Sequence, residues 1–165
     1  MAAGKTYEPI ATTTLGSSQA NVTFNSFSGY TDLILVAQTG AVTGDYMLFM
    51  RFNSDTSTNY NFSQLWGPSG GTNMSSEHAI NQTYLDLQSS PNTIGHMVIA
   101  HIMNYSNTVT QKPVISRAFD ANNNRTYTSA MLWRSTSAIT SILLYPSAGN
   151  LATGSTFTLY GIAAA

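Results

Sequence analysis

The feature that most constrains this chain is the length and make-up of its apolar runs. Each is short, rich in β-branched and aromatic residues, and closed by Gly, Ser, Asn or Asp, which is the signature of strands and turns. The runs are Tyr7–Leu15, Ala20–Phe24, Asp32–Gln38, Tyr46–Phe52, Asn59–Trp66, Thr83–Leu87, Met97–Met103, Pro113–Phe119, Thr126–Trp133, Ile139–Tyr145 and Thr156–Ile162. No window carries an i, i+3, i+4, i+7 stripe, and Ser75–Ile80 is expected to form a turn of helix at most. The expectation is therefore all-β: an antiparallel, jelly-roll-like β-sandwich of about eleven short strands with little or no helix. Neither a linker nor a repeat divides the 165 residues, so residues 7–165 read as a single domain behind a flexible arm, 1–6.

Two of these runs do not alternate as a half-wet sheet requires. In Tyr46–Phe52 one face would carry Tyr46, Leu48, Met50 and Phe52, and the other Met47, Phe49 and Arg51. In Met97–Met103 the faces are Met97, Ile99, His101, Met103 and Val98, Ala100, Ile102. Both faces are apolar with no helix to cover the second, which favours self-association over cover by long loops.

Charge supports the same view. Only 8 % of residues are charged, net charge is −1, and Ser, Thr, Asn and Gln make up 62 of the 165. Such a surface does little to repel a neighbouring copy. Six Lys and Arg give no basic footprint for nucleic acid. No run approaches the roughly 20 apolar residues of a membrane helix. The absence of cysteine excludes disulfides and thiolate-ligated metals.

The sequence carries little recognisable catalytic chemistry. There is no G-x-S-x-G or H-E-x-x-H. His101 sits in an apolar strand, and His96, five residues away, falls on the opposite face of a regular strand. Glu8, Asp32, Asp45, Asp55, Glu77, Asp86 and Asp120 are the acids from which a glycosidase would draw its pair; most stand where a turn or strand end wants an Asx residue. Asn53, Asp55 and Asn59 offer some oxygens for calcium, but they lack the glycine and closing glutamate of an EF-hand loop. No catalytic residue, metal site or cofactor is assigned, and the expectation is a non-enzymatic domain. Trp66, beside the glycine-rich loop Gly67–Gly71, is the best exposed-aromatic candidate among Trp66, Tyr60, Tyr84 and Trp133, and Lys5, Tyr7 and Trp66 are the expected partner-binding residues.

Three stretches form a recognisable combination: Arg51-Phe52-Asn53 with Asn59-Tyr60, Leu132–Ser135 leading to Ile139–Ile142, and the closing Gly154–Ile162. With the opening Tyr7–Leu15, the combination resembles small β-sandwich virion proteins of tailed bacteriophages, cyanophage-like ones among them. Such domains occur as tail-fibre tips or as free-standing capsid decoration (cement) proteins. Strand-like sequence begins almost at Met1, which departs from the fibre pattern with its preceding shaft. The resemblance then implies a virion protein that binds the major capsid protein from outside as a homotrimer. The alternative is a tail-fibre module recognising a host surface glycan.

Overall fold

A computed structural model of the chain describes residues 6–40, 47–67, 73–87, 96–120 and 124–163. Lys5 and the rest of the expected arm up to it, Tyr46, and most of the glycine-rich loop lie outside them. The strands are β1 (Tyr7–Thr14), β2 (Val22–Asn25), β3 (Tyr30–Thr39), β4 (Leu48–Phe52), β5 (Tyr60–Trp66), β6 (Ser75–Gln82), β7 (Leu85–Asp86), β8 (His96–Ile102), β9 (Lys112–Asp120), β10 (Arg125–Trp133), β11 (Ser141–Pro146) and β12 (Thr156–Ala163). All pair antiparallel, in an eight-stranded sheet ordered β1-β12-β3-β8-β9-β10-β5-β6 and a four-stranded sheet ordered β2-β11-β4-β7. No helix occurs among the described residues, and the molecule is the expected β-sandwich.

One apolar core joins the sheets. Leu33, Leu35 and Ala37 of β3 and Val98, Ala100 and Ile102 of β8 face Leu48, Met50 and Phe52 of β4 and Ile142 and Leu144 of β11. These side chains follow the period-2 parity of their strands, and each fully buried Leu, Ile, Phe or Met contributes about 1.5–3 kcal/mol.

The described residues form twelve strands where about eleven were expected, and the addition is informative. Ser75–Ile80 was expected to give a turn of helix at most; it lies within β6, paired with β5 through Ser63↔His78 and Leu65↔Ser76. Its residues carry no strand propensity worth naming, so it is the ladder offered by β5 that decides. The doubled apolarity of β4 is resolved within the chain. Phe49 stacks on Tyr84 at 3.9 Å and meets Tyr145 edge-on, while the Arg51 guanidinium lies 4.7 Å from the centre of the Tyr145 ring. That cluster is the small sheet's own outer cover.

The doubled apolarity of β8 is not resolved in this way. Val98, Ala100 and Ile102 enter the core, and Met97, Ile99 and His101 are left on the outer face of the large sheet. Strand β9 is stranger still, because Lys112, Ser116 and Asp120 are buried while Ile115 and Phe119 stay 47 % and 43 % exposed. A one-residue slip would bury the isoleucine and phenylalanine, but it would take Arg117 into the core with them.

Candidate functional site

The outer face of the large sheet is the place where unspent chemistry collects. Strand register lays its side chains out in rows that run across the strands. The middle row reads Thr12, Thr158, Val36, Ile99, Arg117, Thr128, Leu65, Ser76; the row beside it reads Pro9, Tyr160, Ile34, His101, Ile115, Ala130, Ser63, His78. Hollows follow these rows. One of about 560 Å³ is lined by Tyr7, Ile34, Val36, Ile99, His101, Ile115, Arg117 and Tyr160. A second continues past Met97 and Phe119 to Thr126 and Thr128, and a third lies between β10, β5 and β6. Together they make a trough across the sheet, about 34 Å wide at the usual strand spacing.

At one end of the trough, His101 Nε2 lies 2.8 Å from Asp32 Oδ2. The other carboxylate oxygen accepts the Asn104 amide at 2.6 Å, so the acid is fixed from both sides. The pair is part-exposed, and it orients the imidazole beside Tyr7 and Tyr160. Arg117 stands one strand over and one row up, a diagonal neighbour of His101 at roughly 7–8 Å between backbone positions. It makes no ion pair or hydrogen bond among the described residues. A guanidinium, an oriented imidazole and two phenols on an aliphatic floor can receive a carboxylate or a polar chain, and the floor can receive an apolar one.

His96 is on the opposite face, as parity requires. It is buried, with Nε2 3.5 Å from the Asp120 carboxylate, and takes no part in the trough. Among the described residues no three His, Asp or Glu are grouped to hold a metal. Asp55 and Asn59 are joined to each other, while Asn53 serves a different segment. Asp55 accepts the Trp133 indole at 2.7 Å, the Ser57 amide at 2.8 Å and the Asn59 side chain at 3.1 Å. Asn53 instead bonds Ala138, Thr140 and Ser141.

Of the expected partner-binding residues, Tyr7 is on the trough rim and 58 % exposed. Trp66 turns the other way, its ring 6.0 Å from that of Tyr127, packed against the core. Trp133 is buried. The residue that sequence reasoning missed is Arg117. Its one signal was being the sole charge in the set Pro113, Ile115, Arg117, Phe119, which shares one strand parity.

No protein-family model matches this chain, and no curated protein matches it. Among solved structures it is similar to a mutant of alginate lyase Aly36B in complex with alginate trisaccharide, at 9 % identity, over 92 % of this chain and 80 % of that one, with a TM-score of 0.35. The expectation of a non-enzymatic domain is corrected here, since an enzyme stands among the proteins of similar structure. The likeness is too slight to assign a reaction or a residue.

Proposed function

We propose that this protein is a phage virion component, a capsid decoration protein that binds the major capsid protein at the particle surface as a homo-oligomer. In this reading the outer face of the large sheet is the contact between copies. The observation that carries it is the outward, uncovered placement of Ile115 and Phe119 on the fifth of eight strands. Around them lie Ile34, Val36, Met97, Ile99, Tyr160 and Arg117, while Lys and Glu are missing from these rows. Aromatics, Met and Arg are enriched at interface cores, and Lys and Glu are depleted there. A face about 34 Å by about 20 Å offers roughly 700 Å², near the ~800 Å² per partner of a standard interface. The virion setting is supported by the resemblance, two of whose motifs are bonded to one another in the structure. Asn53 of the first motif clamps the segment that leads from Leu132–Ser135 into Ile139–Ile142.

Sedimentation of the full chain should give an oligomer, and Ile115→Asp should reduce it to single subunits that still fold. Added to purified capsids of the source phage, the protein should bind in hundreds of copies per particle. A strict monomer that leaves capsids bare overturns the reading.

A second reading, a tail-fibre or receptor-binding module that takes a host surface glycan, is favoured by the 560 Å³ hollow with Tyr7, Tyr160, His101 and Arg117 on its walls. Sugar rings stack on phenols, and an acidic sugar would meet Arg117. An array of neutral and acidic glycans decides it, with the bound polysaccharides then incubated and assayed for new chain ends. A blank array removes this reading.

A further inference from the structure

Resting on the second reading, in which the trough takes a glycan, we infer that the sugar seated in the 560 Å³ hollow is an acidic one, its anionic group held by Arg117 and a neighbouring hydroxyl read by His101.

The imidazole comes first, because its neighbours fix what it can do. Asp32 meets Nε2 through Oδ2 at 2.8 Å, while its Oδ1 accepts the Asn104 amide at 2.6 Å. A carboxylate offers acceptors only, so Nε2 keeps the hydrogen and Nδ1 of the neutral ring is left with a lone pair. Nδ1 makes no hydrogen bond among the described residues, and the side chain is 37 % exposed. His101 is therefore an oriented acceptor on the wall of the hollow. What satisfies an acceptor is a hydroxyl, not an anion.

Arg117 makes the opposite demand. It lines the same hollow, is exposed, and makes no ion pair or hydrogen bond among the described residues. A guanidinium has donors only, set in a planar fork that suits an oxyanion such as a carboxylate or a sulfate ester. No acid lines the hollow to compete for it. Across the β8–β9 register it stands diagonally to His101, roughly 7–8 Å away between backbone positions. The two groups thus ask one ligand for an anion and a hydroxyl about one sugar ring apart. A uronate or a sulfated hexose carries that pair, and a neutral sugar does not.

The rest of the lining suits a sugar ring between them. Tyr7 and Tyr160 lie on the paired strands β1 and β12, where their rings can take an apolar C–H face and their hydroxyls can bond. Ile34, Ile99 and Ile115 give an aliphatic floor, so the few polar groups set orientation. A wholly apolar acid would use the floor and Arg117 but cover Nδ1 without offering it a donor.

The test is isothermal titration calorimetry of the full chain with tetrasaccharides of hexuronic acids, their methyl esters, sulfated hexose tetrasaccharides, and octanoate. The ester keeps every hydroxyl and removes the charge. Hexuronates or sulfated sugars should bind about tenfold or more tighter than the esters, and the stronger of the two identifies the anion. Arg117→Gln should erase that preference, with Arg117→Lys falling between. His101→Phe should weaken the acidic sugars about tenfold and leave their preference over the esters in place. Circular dichroism checks folding; should Arg117→Gln misfold, the ester comparison on the wild type decides alone. Esters that bind as well as acids, or a preference that survives Arg117→Gln, overturn the inference and leave the glycan reading standing. Octanoate binding as tightly as the acidic sugars, with His101→Phe without effect, overturns the hydroxyl contact. No binding of any sugar overturns the inference and the glycan reading together.

Discussion

The indole nitrogen of Trp133 donates to Asp55 Oδ2 at 2.7 Å, tying the last residue of β10 to the connection between β4 and β5. Burial pushes the Asp55 pKa up. The bonds from Trp133, Ser57 and Asn59 outweigh it and hold the carboxyl below its ordinary value. A depressed carboxylate contributes stability above the pKa of the unfolded chain and loses it as pH falls through the folded one. Asp55→Asn should therefore destabilise the protein at neutral pH, by about 1–2 kcal/mol. It should also flatten the loss of stability below about pH 4. Urea unfolding at neutral and acid pH measures both effects.

Asn53 does two things at once, and two substitutions separate them. Its side chain accepts the Thr140 and Ser141 amides and donates to the Ala138 carbonyl, while its backbone sits at φ +52°. Asn53→Gly keeps the left-handed backbone but loses the clamp; Asn53→Ala loses the clamp and adds strain. Both should destabilise, with alanine worse than glycine by about 1 kcal/mol. Equal midpoints in urea would show that the backbone conformation carries no cost.

Tyr60 gives the alkaline limit. Its hydroxyl is buried between Phe52 and Asp55, its one proton shared between their two carbonyls while its oxygen accepts the Phe52 amide. Burial pushes its pKa well above the ordinary 10.0, with the neighbouring Asp55 charge adding to the rise. A raised pKa contributes stability in full below the unfolded value and loses it as pH climbs from there towards the folded one. Stability should fall above about pH 10, and Tyr60→Phe should be less sensitive there. At neutral pH that variant should cost about 1–2 kcal/mol, because the Phe52 amide loses its acceptor.

Much of this fold is legible in strand parity. The amino-acid order alone separates Val98, Ala100 and Ile102 from Met97, Ile99 and His101, and His96 from His101. What it does not reveal is any element whose cover is decided by distant residues. The outer side of Phe49 is closed by Tyr84 and Tyr145, thirty-five and ninety-six positions along the chain. Ser75–Gln82 is a strand because β5 offers it a ladder. Trp66 stands beside glycines as an exposed residue would, yet the parity of β5 turns it inward onto Tyr127. The trough itself is half legible: its aliphatic floor is implied by two-faced strands, whereas Arg117, set diagonally to His101, requires the β8–β9 register.

Gly161 marks a close approach that no side chain can share. A Cβ there would fall 2.2 Å from Tyr30 Cδ1 and 2.3 Å from Cγ, near the base of the ring, where it has little room to swing away. Gly161→Ala should displace Tyr30 and cost about 1–3 kcal/mol. Tyr30→Ala in the same background should recover part of the loss, because it removes the atoms that collide. Additive costs in the double variant would place the effect elsewhere.

The orientation of β9 makes the sharpest forecast, since hydrophobicity alone favours the opposite one. Ile115 points outward and Ser116 is buried. Ile115→Ser should change the stability of the dilute monomer by no more than about 0.5 kcal/mol, while weakening association. Ser116→Ile forces a branched side chain into filled space between the sheets and should cost about 1–3 kcal/mol with association unaffected. Urea midpoints at low concentration, read beside sedimentation at high concentration, give both numbers. The reverse order, with Ile115→Ser strongly destabilising and Ser116→Ile harmless, would mean that β9 is flipped. Arg117 would then be inside, and the trough would lose the residue that gives it a chemical identity.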